Sequence, residues 1–311
     1  AFIGGCHSTS NVLAGQLYGI PVKGTHAHSW VMSFPDELTA FQAYADAYPN
    51  ACLLLVDTYD TLRSGVPNAI RVAKELEARG GKFLGIRLDS GDLAYLSKVS
   101  RKMLDEAGLE HATIVASGDL DEDTIRDLRM QGAKIDSWGV GTKLITGDNN
   151  PALGGVYKLA ALEENGHLIP KIKVSENAEK TTNPGIKETV RFYSRENGKA
   201  LADLLVLEDE QIPAHGPLTI FDPVDTWKKK TLRDYDTEKI LVPVFRKGQQ
   251  VYECPSVQKI QEYGRRQLEH FWPEYKRLKN PEEYIIDLSE ELWNLKHTMI
   301  RELRVSYTEQ I

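Results

Sequence analysis

The sequence has few cysteines and no long apolar run. Its 311 residues include only three cysteines, Cys6, Cys52 and Cys254, and no Cys-x-x-Cys pair. An odd and widely spaced set excludes a disulfide scaffold and a cysteine-held zinc site, and it favours a reducing cytoplasm. No apolar run approaches the ~20 residues that a membrane helix requires. We therefore expect a cytoplasmic protein with no membrane partner.

Basic residues are fewer than acidic residues. Lys and Arg total 38 against 45 Asp and Glu, which gives a net charge of −7 at pH 7. Duplex DNA and anionic membranes both need a basic face, so neither is expected as the main partner. A content of 41% hydrophobic and 27% charged residues is that of an ordinary globular protein. The length allows two domains, or one large α/β barrel with an appendage.

The first half of the chain repeats one unit, in which a short apolar run precedes an amphipathic helix. The predicted strands cover residues 20–25, 52–57, 83–89, 112–117 and 135–140. Asp36 after Pro35 is a helix start signal, and Gly80-Gly81 is a helix end signal. Strands that alternate with helices predict a parallel sheet with right-handed crossovers. An irregular β/α barrel and a doubly wound sheet both fit this pattern.

The pattern changes after Asn150. We expect further short strands over residues 154–159, 190–193, 217–221 and 240–244, and two helices over 256–278 and 288–303. This predicts a barrel-like catalytic domain over residues 1–187, part of a mixed β domain over 188–254, and a C-terminal helical segment over 255–311.

Polar side chains follow the predicted strands, where α/β folds place their active sites. Asp57 and Asp89 end two neighbouring strands and, with Ser90, could hold Mg²⁺, receive ribose hydroxyls or stabilise a cationic transition state. Asp60 and Asp92 are better explained as helix caps.

Arg87 lies inside an apolar strand, two residues before Asp89, so both side chains point the same way. Its planar fork suits a carboxylate or a phosphate, and the alternative is an internal salt bridge with Asp89 or Asp57. The later loop Gly139-Val140-Gly141-Thr142 fits a phosphate cradle or a tight turn.

His26 and His28 share one side of an extended segment. A metal site is disfavoured because no third ligand lies at a suitable spacing. A histidine at a strand end beside carboxylates can instead act as an acid, a base or a covalent nucleophile.

The segment Gly24-Thr25-His26-Ala27-His28-Ser29 closely resembles the G-T-x-A-H-S motif of the nicotinate phosphoribosyltransferases. The resemblance continues in order along the chain, through residues 56–60, 87–92, 117–119, 139–143, 154–159 and 180–185. It implies an irregular α/β barrel beside a mixed β domain. It also implies a reaction of nicotinate, phosphoribosyl pyrophosphate and ATP that gives nicotinate mononucleotide for NAD salvage.

The resemblance carries roles onto individual residues. His28 is the histidine that ATP transiently phosphorylates, Asp57 is the carboxylate next to it, and His26 holds a variable position. Arg87 and Asp89 match groups near the base and ribose. The remaining substrate-binding residues implied are Ser10 and Asn11 near the nicotinate carboxylate, Thr25, Ser90, and Gly118, Asp119, Gly139, Gly141 and Thr142 around the ribose and its 5′-phosphate. Nicotinamide-using relatives carry an aspartate near Ser10 and Asn11, so these two residues favour nicotinate.

The family mechanism implies Mg²⁺ bound through the substrate pyrophosphate and a homodimer with composite sites. Family members also have a segment before the equivalent of Ala1, which supplies half of the β domain and groups near the base. The activity that the resemblance implies belongs to the complete enzyme that includes this segment. Three alternatives to this function stay open. They are a nicotinamide or quinolinate phosphoribosyltransferase, a lyase or aldolase on a phosphate-binding barrel, and a non-catalytic regulatory chain.

Overall fold

Strands and helices alternate through the first half of the chain, as predicted. The computed structural model describes residues 1–175, 181–214 and 216–308. The chain divides into two units, Ala1–Leu153 and Gly154–Ile311. The boundaries predicted at residues 187 and 254 stay predictions. Among the described residues, no helix is long and apolar enough to cross a membrane.

The first unit holds a four-stranded parallel sheet in the order β1-β2-β3-β4. The strands are β1 Cys52–Leu55, β2 Phe83–Leu88, β3 Thr113–Ala116 and β4 Ser137–Trp138. The helices are α1 Val12–Tyr18, α2 His28–Met32, α3 Glu37–Ala47, α4 Val66–Ala78, α5 Leu93–Glu106, α6 Glu122–Met130 and α7 Thr142–Thr146, with a π-helical turn at Thr61–Gly65. The α/β class and the parallel sheet are confirmed. The described strands form an open sheet, so the closed barrel stays a prediction.

Helix caps and strand burial explain why these elements form. Asp36, Asp60 and Asp92 each accept backbone N–H bonds at the start of the following helix or turn, which confirms the predicted caps. Leu54 in β1 and Ile86 in β2 are completely buried, because helices cover the parallel sheet. The sheet is therefore anchored in the core, and its carboxyl ends are held at fixed positions.

Two predicted strands of this unit are wrong in extent. Residues 20–25 are extended but form only a single bridge, between Thr9 and Val22. The N–H of Leu55 in β1 bonds instead to the ring nitrogen Nε2 of His26, so a side chain takes the place of a ladder bond. Of residues 135–140, only Ser137–Trp138 pair as a strand.

The described residues of the second unit form a mixed sheet in the order β11-β7-β8-β14, and three two-stranded hairpins. Its strands are β5 Ala161–Glu164, β6 His167–Pro170, β7 Lys187–Ser194, β8 Ala200–Leu207, β9 Leu218–Phe221, β10 Lys229–Leu232, β11 Tyr235–Lys239, β12 Phe245–Arg246, β13 Gln249–Gln250 and β14 Ile286–Leu288. Its helices are α8 Val257–Glu269 and α9 Glu290–Thr308, with a 3₁₀ turn at Pro273–Lys276.

The sequence misplaces several elements here. Residues 154–159 and 240–244 form no strand. Tyr157 is fully exposed, so the apolar residues of the first segment have no sheet on which to pack. The helix predicted over 256–278 ends at Glu269, shortly before Pro273, and the last helix begins at Glu290 because Leu288 belongs to β14. Lys180 of the family motif lies outside the described residues.

Candidate active site

The carboxyl ends of β1, β2 and β3 bring most of the predicted polar residues together. Arg87, the fifth residue of β2, lies at the centre of this group and donates three hydrogen bonds. Its Nε donates to Ser117 Oγ at 2.7 Å, its Nη1 to Thr25 Oγ1 at 2.9 Å and its Nη2 to Asp89 Oδ1 at 2.8 Å. The internal salt bridge with Asp89 is therefore formed. Arg87 therefore connects Thr25, the residue before His26, to the ends of β2 and β3.

Asp89 is a half-buried carboxylate kept in its charged form. Oδ1 accepts a short hydrogen bond from Ser117 Oγ as well as the bond from Arg87. Burial by itself would raise the pKa of Asp89, but the hydrogen bonds from Ser117 and Arg87 and the positive charge of Arg87 outweigh burial and lower it. Asp89 therefore presents a negative charge at this edge of the sheet.

Asp57 lies at the end of β1 and connects it to the loop after β2. Its Oδ2 accepts from the Asp89 N–H at 3.0 Å and from Ser90 Oγ at 2.6 Å. Its Oδ1 is buried, and it has no hydrogen-bond partner in the described part of the chain. Buried carboxylate oxygens are normally paired, so this one has capacity to accept a hydrogen bond or to interact with a cation.

His28 is the first residue of α2 and contacts the two strand ends from a third side. Its Nδ1 lies 3.1 Å from Thr58 Oγ1, and its Nε2 lies 3.9 Å from Asp89 Oδ2. The carboxylate that faces His28 is therefore Asp89, and the group that can orient the ring is the Thr58 hydroxyl. With Nδ1 bonded to Thr58, Nε2 is available for chemistry. The side chain is 38% exposed, so a substrate can reach it.

His26 has a different environment, as its variable position in the motif implies. It is 7% exposed, its Nε2 accepts from the Leu55 N–H at 3.2 Å, and its Nδ1 lies 3.4 Å from the Ala27 carbonyl. Burial lowers its pKa from 6.5 to about 4, so the ring is neutral. Both nitrogens are engaged, and His26 is a structural residue between β1 and α3.

The glycine-rich loops after β3 and β4 lie close to the same edge. Gly118 has a φ of +95°, and a Cβ there would lie 2.2 Å from the Asp89 carbonyl oxygen. A side chain is therefore excluded where the two loops meet. Asp119 follows in the left-handed region and is exposed. A Cβ on Gly139 would lie 3.3 Å from the Ser117 Cβ, so the loop after β4 contacts the loop after β3.

The predicted residues Gly141, Thr142, Ser10 and Asn11 have no hydrogen bond to this cluster among the described residues. Gly141 and Thr142 begin the short helix α7 and face open space. Asn11 caps α1 through a bond from the Ala14 N–H at 2.9 Å, and Ser10 beside it is exposed. Their predicted roles toward phosphate and nicotinate stay predictions.

Sequence reasoning overlooked two hydroxyls, Thr58 and Ser117. Thr58 directly follows Asp57, and Ser117 directly precedes Gly118, so both lie inside segments that resemble the family, residues 56–60 and 117–119. The signal that could have found them is their position at a strand end, beside a charged residue with bonds to satisfy. Among the described residues, no group of three or more His, Cys, Asp or Glu could hold a metal ion.

Comparisons with known proteins identify the family of the chain. The model of the Nicotinate phosphoribosyltransferase (NAPRTase) family matches residues 2–211. The model of the Nicotinate phosphoribosyltransferase C-terminal domain matches residues 186–296. A nicotinate phosphoribosyltransferase of Bacillus subtilis is 50% identical over 311 residues, which is 100% of this chain and 63% of that protein. The Homo sapiens protein of the same name is 33% identical, over 96% of this chain and 64% of its own length.

Solved structures give the same result. The crystal structure of human nicotinic acid phosphoribosyltransferase superposes with a TM-score of 0.79 at 31% identity, over 96% of this chain and 65% of that one. A nicotinate-nucleotide pyrophosphorylase from Pyrococcus furiosus shares the fold, with a TM-score of 0.60 at 23% identity, over 87% of this chain and 60% of that one. The chain spans less than two thirds of the length of these relatives. The family model that matches most of its residues shows that the chain belongs to the nicotinate phosphoribosyltransferase family.

Proposed function

We propose that this chain carries the nicotinate phosphoribosyltransferase reaction, coupled to ATP hydrolysis, in NAD salvage. The bond between the ribose anomeric carbon and pyrophosphate breaks, and a bond to the nicotinate ring nitrogen forms. The observation that supports this most directly is the cluster of His28, Asp89 and Arg87 at the carboxyl ends of adjacent parallel strands. Charged groups held in fixed positions at the strand ends can stabilise the charge that develops in the transition state of this reaction.

Asp89 is the group proposed to face the ribose. Positive charge develops on the sugar as the leaving group departs, and an ionised carboxylate nearby stabilises it. The lowered pKa of Asp89 keeps this charge in place at neutral pH. Arg87 orients the carboxylate, and its remaining N–H groups can bind an anionic part of a substrate.

Asp57 and Ser90 fit the requirements of a magnesium-bound pyrophosphate. Carboxylate and hydroxyl oxygens are ligands suited to Mg²⁺ or to its waters, and Asp57 Oδ1 has no other bond to make in the described residues. Mg²⁺ supplies positive charge that neutralises the departing pyrophosphate. Thr25, Gly118, Asp119, Gly139, Gly141 and Thr142 are proposed to bind the ribose and its 5′-phosphate.

His28 is proposed as the residue that ATP phosphorylates. Its Nε2 attacks the γ-phosphorus, ADP leaves, and the phosphorylated ring adds negative charge beside the pyrophosphate site. Thr58 orients the ring from the other nitrogen. Water later removes the phosphoryl group, so that each cycle consumes one ATP.

The remaining proposals concern the surroundings of the enzyme. Cys6, Cys52 and Cys254 are present as thiols in the structure, which supports a reducing cytoplasm. A homodimer with composite sites is proposed from the family resemblance alone.

The test is a pyrophosphate-release assay on the complete enzyme that contains this chain, with phosphoribosyl pyrophosphate, Mg²⁺ and ATP. We expect release that depends on nicotinate, with nicotinamide and quinolinate far poorer. Asp89→Asn should lower kcat by about 100-fold, since it removes the charge that faces the ribose. The exposed Asp105→Asn on α5 is the matched control and should leave kcat unchanged. Binding of both substrates without turnover would contradict the proposal, and so would preferential use of another pyridine.

A further inference from the structure

Glu37 is a buried carboxylate that the proposed chemistry does not use. It lies in the first turn of α3 and is only 3% exposed. Its Oε2 accepts from Ser64 Oγ at 2.5 Å and from Asn68 Nδ2 at 3.1 Å, and Asn68 also donates to Ser64 Oγ at 3.3 Å. One carboxylate oxygen therefore joins α3 to the π-helical turn and to α4.

The second oxygen of Glu37 is left without a bond. Its Oε1 is buried and has no hydrogen-bond partner in the described ranges of the chain. An unsatisfied buried carboxylate oxygen lowers the stability of the folded state. Folded proteins accept such a cost mainly where function requires it. The position of Glu37 in the fold therefore indicates which function it serves.

That place is the π-helical turn directly after the loop of residues 56–60, which contains Asp57 and Thr58. The turn ends at Gly65, where a Cβ would lie 1.8 Å from the Val56 carbonyl oxygen. The turn therefore packs against the peptide that immediately precedes Asp57. π-helical turns are rare and occur frequently at functional sites. A shift of this turn would move Val56, and with it Asp57 and Thr58.

We propose that Glu37 is a positioning residue for the candidate active site. By holding Ser64, it fixes the π-helical turn on Val56. This keeps the Thr58 hydroxyl against Nδ1 of His28 and the Asp57 carboxylate against Ser90. Glu37 itself contacts no substrate. The effect on catalysis rests on the proposed function, whereas the effect on His28 does not.

The test measures His28 directly, by nitrogen-15 NMR of the imidazole rings in the complete enzyme that contains this chain. Glu37→Ala should replace the signals of a ring bonded at Nδ1 with those of a mixture of tautomers. It should also lower kcat by about 10- to 100-fold while the KM for phosphoribosyl pyrophosphate stays within about threefold. Glu37→Gln keeps an oxygen that accepts from Ser64, so it should restore most of both properties.

The matched control is Ser97→Ala in α5. Ser97 is completely buried, and its Oγ accepts from the Lys134 N–H at 3.0 Å, but within the described ranges it has no bond to the loop after β1. It should lower the midpoint of thermal unfolding without moving the His28 signals or kcat. If Glu37→Ala behaves in the same way, Glu37 is only structural and the proposal is overturned.

Two further results would also distinguish a positioning role from a structural one, or the positioning role from the proposed function. If Glu37→Ala does not fold, Ser64→Ala takes its place, because it removes only the donor; unmoved His28 signals in that variant would also overturn the proposal. If the His28 signals move but the unaltered protein has no nicotinate-dependent activity, the positioning role stands and the proposed function fails.

Discussion

Arg87 and Asp89 form an ion pair in which Nη2 donates to Oδ1 at 2.8 Å, with about a quarter of each side chain exposed. Oδ2 of the same carboxylate faces Nε2 of His28 at 3.9 Å. One oxygen of Asp89 is thus used to hold the side chain, and the other is directed toward the candidate nucleophile. The pair therefore fixes a negative charge between the end of β2 and His28.

Replacing the guanidinium tests this pair. Arg87→Met keeps the length of the side chain and removes all three donors, so Asp89 keeps its charge with fewer partners. We expect the free energy of unfolding to fall by about 2 kcal/mol. Arg71→Met is the control, because Arg71 forms an exposed pair with Glu75 on α4, and it should cost about 0.5 kcal/mol or less. Urea unfolding of both variants at pH 7 decides this; equal losses would contradict the assigned role.

Gly118 offers a test of the contact between the loops after β2 and β3. A methyl group there would overlap the Asp89 carbonyl, and its φ of +95° is unfavourable for alanine. Gly132 has a φ of +76°, and no atom of the described residues lies within 4 Å of an added Cβ, so Gly132→Ala isolates the backbone strain. We expect a loss of about 1 kcal/mol for Gly132→Ala and about 3 kcal/mol for Gly118→Ala. Similar thermal midpoints for the two variants would show that the loops can separate freely.

The sequence was most informative at the strand ends. A charged residue that directly follows a buried strand is confined to the edge of the sheet. The proximity of Arg87, Asp89 and Asp57 could therefore be predicted from their spacing. The helix caps at Asp36, Asp60 and Asp92 could also be predicted from the sequence, because an aspartate at a strand-to-helix junction has a local partner in the first turn.

Partners that come from distant parts of the chain could not be predicted. Thr58 rather than Asp57 contacts His28, since the direction of each side chain after β1 depends on the π-helical turn that follows. The segment 20–25 resembles a strand, yet His26 takes the bond that a strand would have made to Leu55. These outcomes depend on tertiary packing, which a local pattern does not encode.

The buried His26 predicts a pH dependence of stability. Its pKa is about 4 in the folded protein against 6.5 in the unfolded chain, so the unfolded state binds more protons between these values. The stabilisation is fully present above pH 6.5 and is lost as the pH falls toward 4, by about 3 kcal/mol in total. His26→Gln keeps an acceptor for the Leu55 N–H but does not titrate. Urea unfolding from pH 7 to pH 4.5 should therefore be flatter for this variant, and parallel curves would contradict the assignment.

Asn11 allows a test of substrate choice that leaves the fold intact. Asn11 caps α1, and aspartate caps a helix about as well, so Asn11→Asp should fold normally. Its added charge should repel the nicotinate carboxylate and raise the KM for nicotinate more than that for nicotinamide. Asn11→Ser is the control, because it keeps a cap without a charge. Steady-state kinetics with both pyridines check this, and equal losses with the two would refute the placement of nicotinate near Asn11.

The final prediction is that His28, and not His26, takes up phosphate from ATP. Among the described residues, Nε2 of His28 makes no hydrogen bond and lies 3.9 Å from Asp89 Oδ2, and Thr58 can hold the other nitrogen. His26 is buried, and both of its nitrogens face backbone groups. With ATP labelled at the γ-phosphate, His28→Ala in the complete enzyme should therefore abolish acid-labile labelling of the protein. His26→Gln should keep labelling near that of the unaltered protein, and Thr58→Val should slow it by about tenfold, because the ring loses its orienting partner.

The His28 variant should retain a slow phosphoribosyl transfer that does not depend on ATP, since the strand-end loops still bind both substrates. Label on the His28 variant, or its loss from the His26 variant, would show that the two histidines have been assigned the wrong way round.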